Sequence, residues 1–312
     1  MGGDTHAMRG HLDEPLGFAH LQARTERSLI VEYSFTNVWG ASWGTLKATW
    51  VRLAGACAIY LLANIPVWGA QAVQMISQII QKKNPDEVKV IAATNAFSGA
   101  AGCFVLIYQI FVLVPLLAGL LWVATRAVRS HRVAYGDLLR GFRRFPSVLG
   151  TVVLVAIAQM IPILLGLAVL SAIVWFGIGF SNFKDGVQWH DFDDASRAAV
   201  ILGWIWAITC VVVCYWICIR TMFSLFVVVD ETLGARSAMA SIETSWRMTQ
   251  GKALSLFGLM ISLSVGTVAT LLACCVPFIF LGLPFCLIAL ATAYNMLVAK
   301  DVQSTDRAIA AP

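Results

Sequence analysis

The feature that most constrains this chain is a set of uncharged apolar runs long enough to cross a bilayer, such as GTVVLVAIAQMIPILLGLAVLSAIVWFGIGF over residues 150–180. A hydrocarbon core about 30 Å thick needs about 20 apolar residues in a helix, which bonds its own backbone groups where no water can. Composition agrees: the chain has 59% hydrophobic and 12% charged residues and a mean hydropathy of +0.78. That is outside the soluble globular class, where about a quarter of residues are charged. The expected fold class is an all-α integral membrane protein.

Six spans are expected, near Val51–Ile80, Ala100–Val128, Val148–Phe180, Ala199–Val229, Ala253–Cys275 and Val276–Ala299. Several exceed the required length, so they tilt or project. Pro66, Pro115, Pro162, Pro277 and Pro284 lie within or beside them, where neighbouring helices can satisfy freed carbonyls. The polar tail 1–32 has no apolar signal-peptide core, so no cleavable signal is expected. The eight cysteines all fall in apolar runs, which argues against a disulfide framework or a zinc-finger spacing. Cys210, Cys214 and Cys218 share one helix face and read as small, polarizable packing residues rather than a metal or redox stripe.

Orientation follows from Lys and Arg. The N-terminal tail, 126–147, 230–252 and the C-terminal tail 300–312, with the residues flanking the spans, hold seventeen of the 22. The opposite side carries Lys82, Lys83, Lys89, Lys184 and Arg197, offset by Asp86, Glu87, Asp185, Asp191, Asp193 and Asp194. Both termini are expected to be cytoplasmic, in a bacterial cytoplasmic membrane.

Three amphipathic segments punctuate the spans: Ser34–Trp50, Ala134–Ser147 and Val227–Lys252. In the third, Met239, Ile242, Trp246 and Thr249 fall on one helix face, and Gly251 is a natural stop. Aligning Trp43, Phe142 and Trp246 puts apolar Trp39, Leu138 and Ile242 four residues earlier, with Arg143 and Arg247 following in the last two. The membrane domain 33–299 thus divides into units 33–128, 134–229 and 232–299, each an interfacial helix followed by two spans.

No metalloprotease, phosphate-loop, hydrolase-elbow or calcium-loop motif is present, and no histidine lies inside a span. No catalytic residue, metal ligand or cofactor is therefore expected. Two features stand out. Arg220 sits near the end of span four, where it either contacts lipid phosphate, substrate or an acid on another helix, or snorkels to the headgroups. Asn64, Gln71, Gln74, Gln78 and Gln81 share a face of span one, as a polar path or as interhelical bonding and a projecting amphipathic end. Arg140, Arg143, Arg144, Arg236, Trp246 and Arg247 are further candidates for headgroup or partner contact. The acidic outer loop at 181–197 reads as solvated rather than as a cation site.

VVVDE followed by GARSAMASIETSWRMTQGK resembles a bacterial six-span inner-membrane family, similar to the membrane domain fused to some glycerophosphodiester phosphodiesterases. Ser245, Trp246, Thr249, Gly251 and Lys252 carry the likeness, clearest over 214–258 and weaker over 33–55 and 134–150. The resemblance implies a fold and a location, without hydrolase activity. The leading expectation is a non-enzymatic accessory, scaffold or assembly subunit, or a lipid-interacting protein. Its partners would be membrane lipids and other membrane-protein subunits, and no nucleic acid. A transporter or channel for a small solute or lipid is the alternative, and a membrane-embedded enzyme ranks third.

Overall fold

The computed structural model describes residues 35–83, 88–130, 133–173, 194–233, 237–273 and 278–310. Helices follow one another in the order α1 (Phe35–Ala63), α2 (Ile65–Lys83), α3 (Val88–Tyr108), a π-helical turn (Gln109–Leu113), α4 (Val114–Ser130), a 3-10 turn (Tyr135–Leu139) and the short α5 (Arg140–Arg143). They continue as α6 (Phe145–Ile173), α7 (Asp194–Thr221), α8 (Ser224–Val229), α9 (Ala238–Met248), α10 (Ala253–Ala273), a second π turn (Phe278–Gly282) and α11 (Leu283–Ala310). Six stretches are long and apolar enough to cross a membrane: Thr36–Ala63, Ala96–Ser130, Phe145–Ala172, Ile201–Val229, Ala253–Leu272 and Phe280–Lys300. The chain is an all-α, multi-pass membrane protein.

The first span differs from the expected Val51–Ile80. From Phe35 onward the first amphipathic segment is no separate helix but the first half of α1, which runs unbroken to Ala63. The break comes at Asn64, because Pro66 lacks an N–H and its ring opposes a continuous helix. The Asn64 side chain donates to the Tyr60 carbonyl at 2.8 Å, and its own carbonyl accepts from Val67 and Trp68 to start α2. The glutamines of the stripe therefore belong to α2, a separate amphipathic helix that lies outside the six apolar stretches, and Asn64 stands at the break before it.

The second amphipathic segment is also not a full helix. Its 3-10 turn and α5 press backbone to backbone against α4. A Cβ on Gly119 would lie 1.9 Å from the Leu138 carbonyl oxygen, and one on Gly141 would lie 1.8 Å from that of Pro115. Only glycine permits this approach.

The third segment forms α9. Ser237 caps it by accepting the Ala240 N–H at 3.2 Å, and Gly251 ends the turn beyond it with φ of +73°. Its buried face is Ser241, Ser245, Met248 and Thr249, whereas Met239 and Trp246 are exposed. The small hydroxyl face makes the close contact, and the large side chains turn outward. Thr151 of α6 and Ser241 meet hydroxyl to hydroxyl at 3.3 Å, and the Ser245 hydroxyl donates to the Arg220 carbonyl at 2.8 Å.

The last span is the centre of the bundle, 61% buried over its apolar window, against 11% and 6% for the third and fourth. Tyr294, Ile288, Leu53, Leu120 and Phe223 pack there without exposure. Spans three and four form a peripheral pair in which Cys210 lies against Gly166, and Cys214 Sγ lies 3.5 Å from the Gln159 carbonyl.

Candidate functional site

Asp230 follows the end of α8 in extended backbone and is fully buried. It accepts from Arg129 Nη1 at 3.1 Å and Nη2 at 2.5 Å, from the Tyr294 hydroxyl at 2.8 Å, and from the Thr232 N–H and hydroxyl at 3.0 and 2.7 Å. Arg129 Nε donates to Asn295 Oδ1 at 2.7 Å. One carboxylate thus ties α4, the turn after α8 and α11 together. Burial pushes the Asp230 carboxyl up, but the bonds and charge of Arg129 and the Thr232 donors outweigh it, holding it below the usual carboxylate value. A bidentate guanidinium–carboxylate pair with its lone pairs satisfied is the form in which a charge can be buried.

A second ion cluster lies on the segment that crosses α4. Asp137 accepts from Arg126 Nη1 at 2.5 Å and pairs with Arg140 Nε at 3.5 Å. Arg140 also reaches Glu231 at 3.8 Å and stands 5.0 Å over the Trp122 ring. Arg144 donates to the Val228 carbonyl at 2.8 Å, two residues before Asp230. Of the three basic residues expected to face lipid here, Arg140 and Arg144 have internal partners, while Arg143 is exposed.

Arg220, in the last turn of α7, has no carboxylate partner among the described residues; Asp230 is taken by Arg129. Its guanidinium stands 5.3 Å from the Trp216 ring and 5.5 Å from the Trp246 ring, which meet edge to face. Its Nη1 lies 3.4 Å from the Trp246 carbonyl, in the last turn of α9, where a cation complements the helix dipole. With Ser245 donating to the Arg220 carbonyl, the contact clamps α9 to α7. Arg247 lies on the exposed side of α9, and Arg236 lies outside the described residues.

The amide stripe does not meet Arg220. Asn64 bonds its own helix, Gln74 Nε2 donates to the Ser98 carbonyl of α3 at 3.3 Å, and Gln71 and Gln78 are exposed. Of Gln81 only the helical backbone is described. Residues 174–193, which hold most of the acidic outer loop, lie outside the described residues. Among the described residues no three of His, Cys, Asp and Glu gather as a metal site would require.

Sequence reasoning passed over Arg129 and Asp230 as a pair, and Asn295 with them. The available signal was the adjacent Tyr294-Asn295 in an otherwise apolar run, with two arginines one turn apart at the end of span two. Compared with family models, with curated proteins and with solved structures, the chain matches none.

Proposed function

We propose that the protein is a non-enzymatic accessory or scaffold subunit of a membrane assembly that also holds lipid. Its membrane is the bacterial cytoplasmic membrane, and both termini are cytoplasmic, as the Lys and Arg asymmetry favours. The resemblance of residues 214–258 to the six-span inner-membrane family belongs to the same reading.

The observation that carries the proposal is where the charge goes. Arg126, Arg129, Arg140 and Arg144 bond to acids and carbonyls of neighbouring segments. A transporter would need Asn64, Gln71, Gln74, Gln78 and Arg220 around one cavity, and their contacts lie on different helices. An enzyme would need convergent titratable groups open to substrate, whereas the Asp230 carboxylate is closed off by its own donors.

The test is tagged protein purified gently from native membrane, with mass spectrometry of everything retained. Stoichiometric membrane subunits are the expected result. A lone protein carrying a small solute would sink the scaffold reading and move transport assays on Arg220, Asn64 and Gln71 variants to the front.

A further inference from the structure

The third span carries a side chain whose bonding the chain itself does not complete. Gln159 lies at the middle of the Phe145–Ala172 stretch, fourteen residues from one end and thirteen from the other. At a rise of 1.5 Å per residue each end is about 20 Å away, beyond the reach of a glutamine side chain. Its backbone carbonyl lies 3.5 Å from Cys214 Sγ, but its half-buried carboxamide has no hydrogen-bond partner among the described residues.

The hydroxyls along the same two helices are satisfied locally. Thr151, Ser171 and Thr209 each donate to a carbonyl of their own helix at 2.8–2.9 Å. A carboxamide brings two donors and an acceptor, and hydrocarbon offers it no water in exchange. An amide left unpaired there costs several kcal/mol.

The surroundings of Gln159 leave room for a partner. Spans three and four are 11% and 6% buried over their apolar windows, against 61% for the last span. Ala156, Ile163 and Leu170 continue the face of Gln159 at three, four and eleven residues from it, and all three are exposed. The small Ala156 permits a close approach by another helix.

Depth decides which helix. Two copies inserted the same way carry Gln159 at the same level, and a two-fold axis along the membrane normal brings the residue to itself. Two facing carboxamides each supply the donor and acceptor that the other lacks. An unrelated span has a polar group at that level only by coincidence.

We propose that the chain self-associates through α6, with Gln159 of two copies hydrogen-bonded to each other in the middle of the membrane. This goes beyond the accessory reading, which concerns other subunits. A purified chain that stays monomeric leaves that reading untouched, and a native preparation without other subunits leaves the α6 contact untouched.

The experiment labels the purified full chain with donor or acceptor fluorophores and reads energy transfer in phosphatidylcholine vesicles as the protein-to-lipid ratio falls. Wild type is expected to follow a monomer–dimer curve. Gln159→Leu should weaken the dimer about tenfold, the equivalent of about 1.4 kcal/mol, with no fall in the melting temperature of the dilute monomer. Gln159→Asn retains an amide and should recover most of the association. Met160→Leu, an exposed apolar neighbour on another side of the helix, should behave as wild type. A monomeric wild type at every ratio, or Gln159→Leu that associates undiminished, overturns the proposal. A lowered monomer melting temperature in Gln159→Leu also overturns it, because the amide would then be bonded within its own chain. Ala156→Leu crowds the contact without touching the amide. Undiminished association in that variant overturns the α6 face, and it decides even where Gln159→Leu does not fold.

Discussion

Asp230 sits without solvent exposure because five donors, two from Arg129, two from Thr232 and one from Tyr294, replace the water it has lost. The pH dependence follows with a definite sign. The folded carboxyl titrates below its ordinary value of 3.8, so its contribution to stability is complete above that value. The contribution is lost as pH falls through the lower folded value. Melting of wild type in detergent between about pH 6 and pH 3 should show this loss at the acid end. Asp230→Asn should start less stable and show a weaker acid dependence; an acid limb identical to wild type would contradict the assignment. Sequence alone marked Arg220 as the arginine to watch, because it lies in the apolar run where a charge is most conspicuous. The deeper pairing uses Arg129, which stands at a span end like many snorkelling residues, and Asp230, 101 positions away. Nothing local to either residue announces the other.

At the scale of elements, two glycines allow one segment to lie against another. Gly119→Ala or Gly141→Ala places a methyl into a backbone carbonyl, and either should cost about 3 kcal/mol, the upper end for overpacking. Gly136→Ala, whose Cβ would meet nothing within 4 Å, should fall within about 0.5 kcal/mol of wild type. Gly251→Ala should cost about 1–2 kcal/mol through its left-handed φ rather than through any contact. Equilibrium unfolding in mixed micelles reads all four variants, and equal losses at Gly119 and Gly136 would refute the crossing. Gly251 was legible in the sequence because a helix stop is a local event. Gly119 and Gly141 were not, since neither a glycine in an apolar run nor one in a basic amphipathic segment carries any sign of the backbone that will approach it. The packed face of α9 was not read from the sequence. Periodicity identified Met239, Ile242, Trp246 and Thr249 as an interfacial stripe; Met239 and Trp246 are exposed, while Thr249 is buried with Ser241 and Ser245 on the side that packs.

For the whole molecule, six apolar stretches and their approximate places were legible because length and charge alone determine what can cross hydrocarbon. The exception was the first, where interface and span merged into α1 and the break moved to Asn64 and Pro66. What sequence could not supply is which span is central, because inward-facing and lipid-facing helices are equally apolar. The structure makes the last span the hub, so Ala291→Leu there should cost about 2 kcal/mol, while Val212→Leu in the fourth should cost less than about 0.5 kcal/mol. Thermal unfolding in detergent ranks the pair, and equal tolerance would place the centre elsewhere.

We propose that the buried charge among the described residues joins helices rather than forming a path or a reactive centre. The most direct test is a double-mutant cycle of Arg129→Met and Asp230→Leu, read as stability in lipid nanodiscs. Each single variant leaves one charge uncompensated and should lose about 3–5 kcal/mol, while the double variant should lose clearly less than the sum. Single variants as stable as wild type, or losses that simply add, would contradict the claim and return the Arg129–Asp230 pair to the candidates for chemistry or transport.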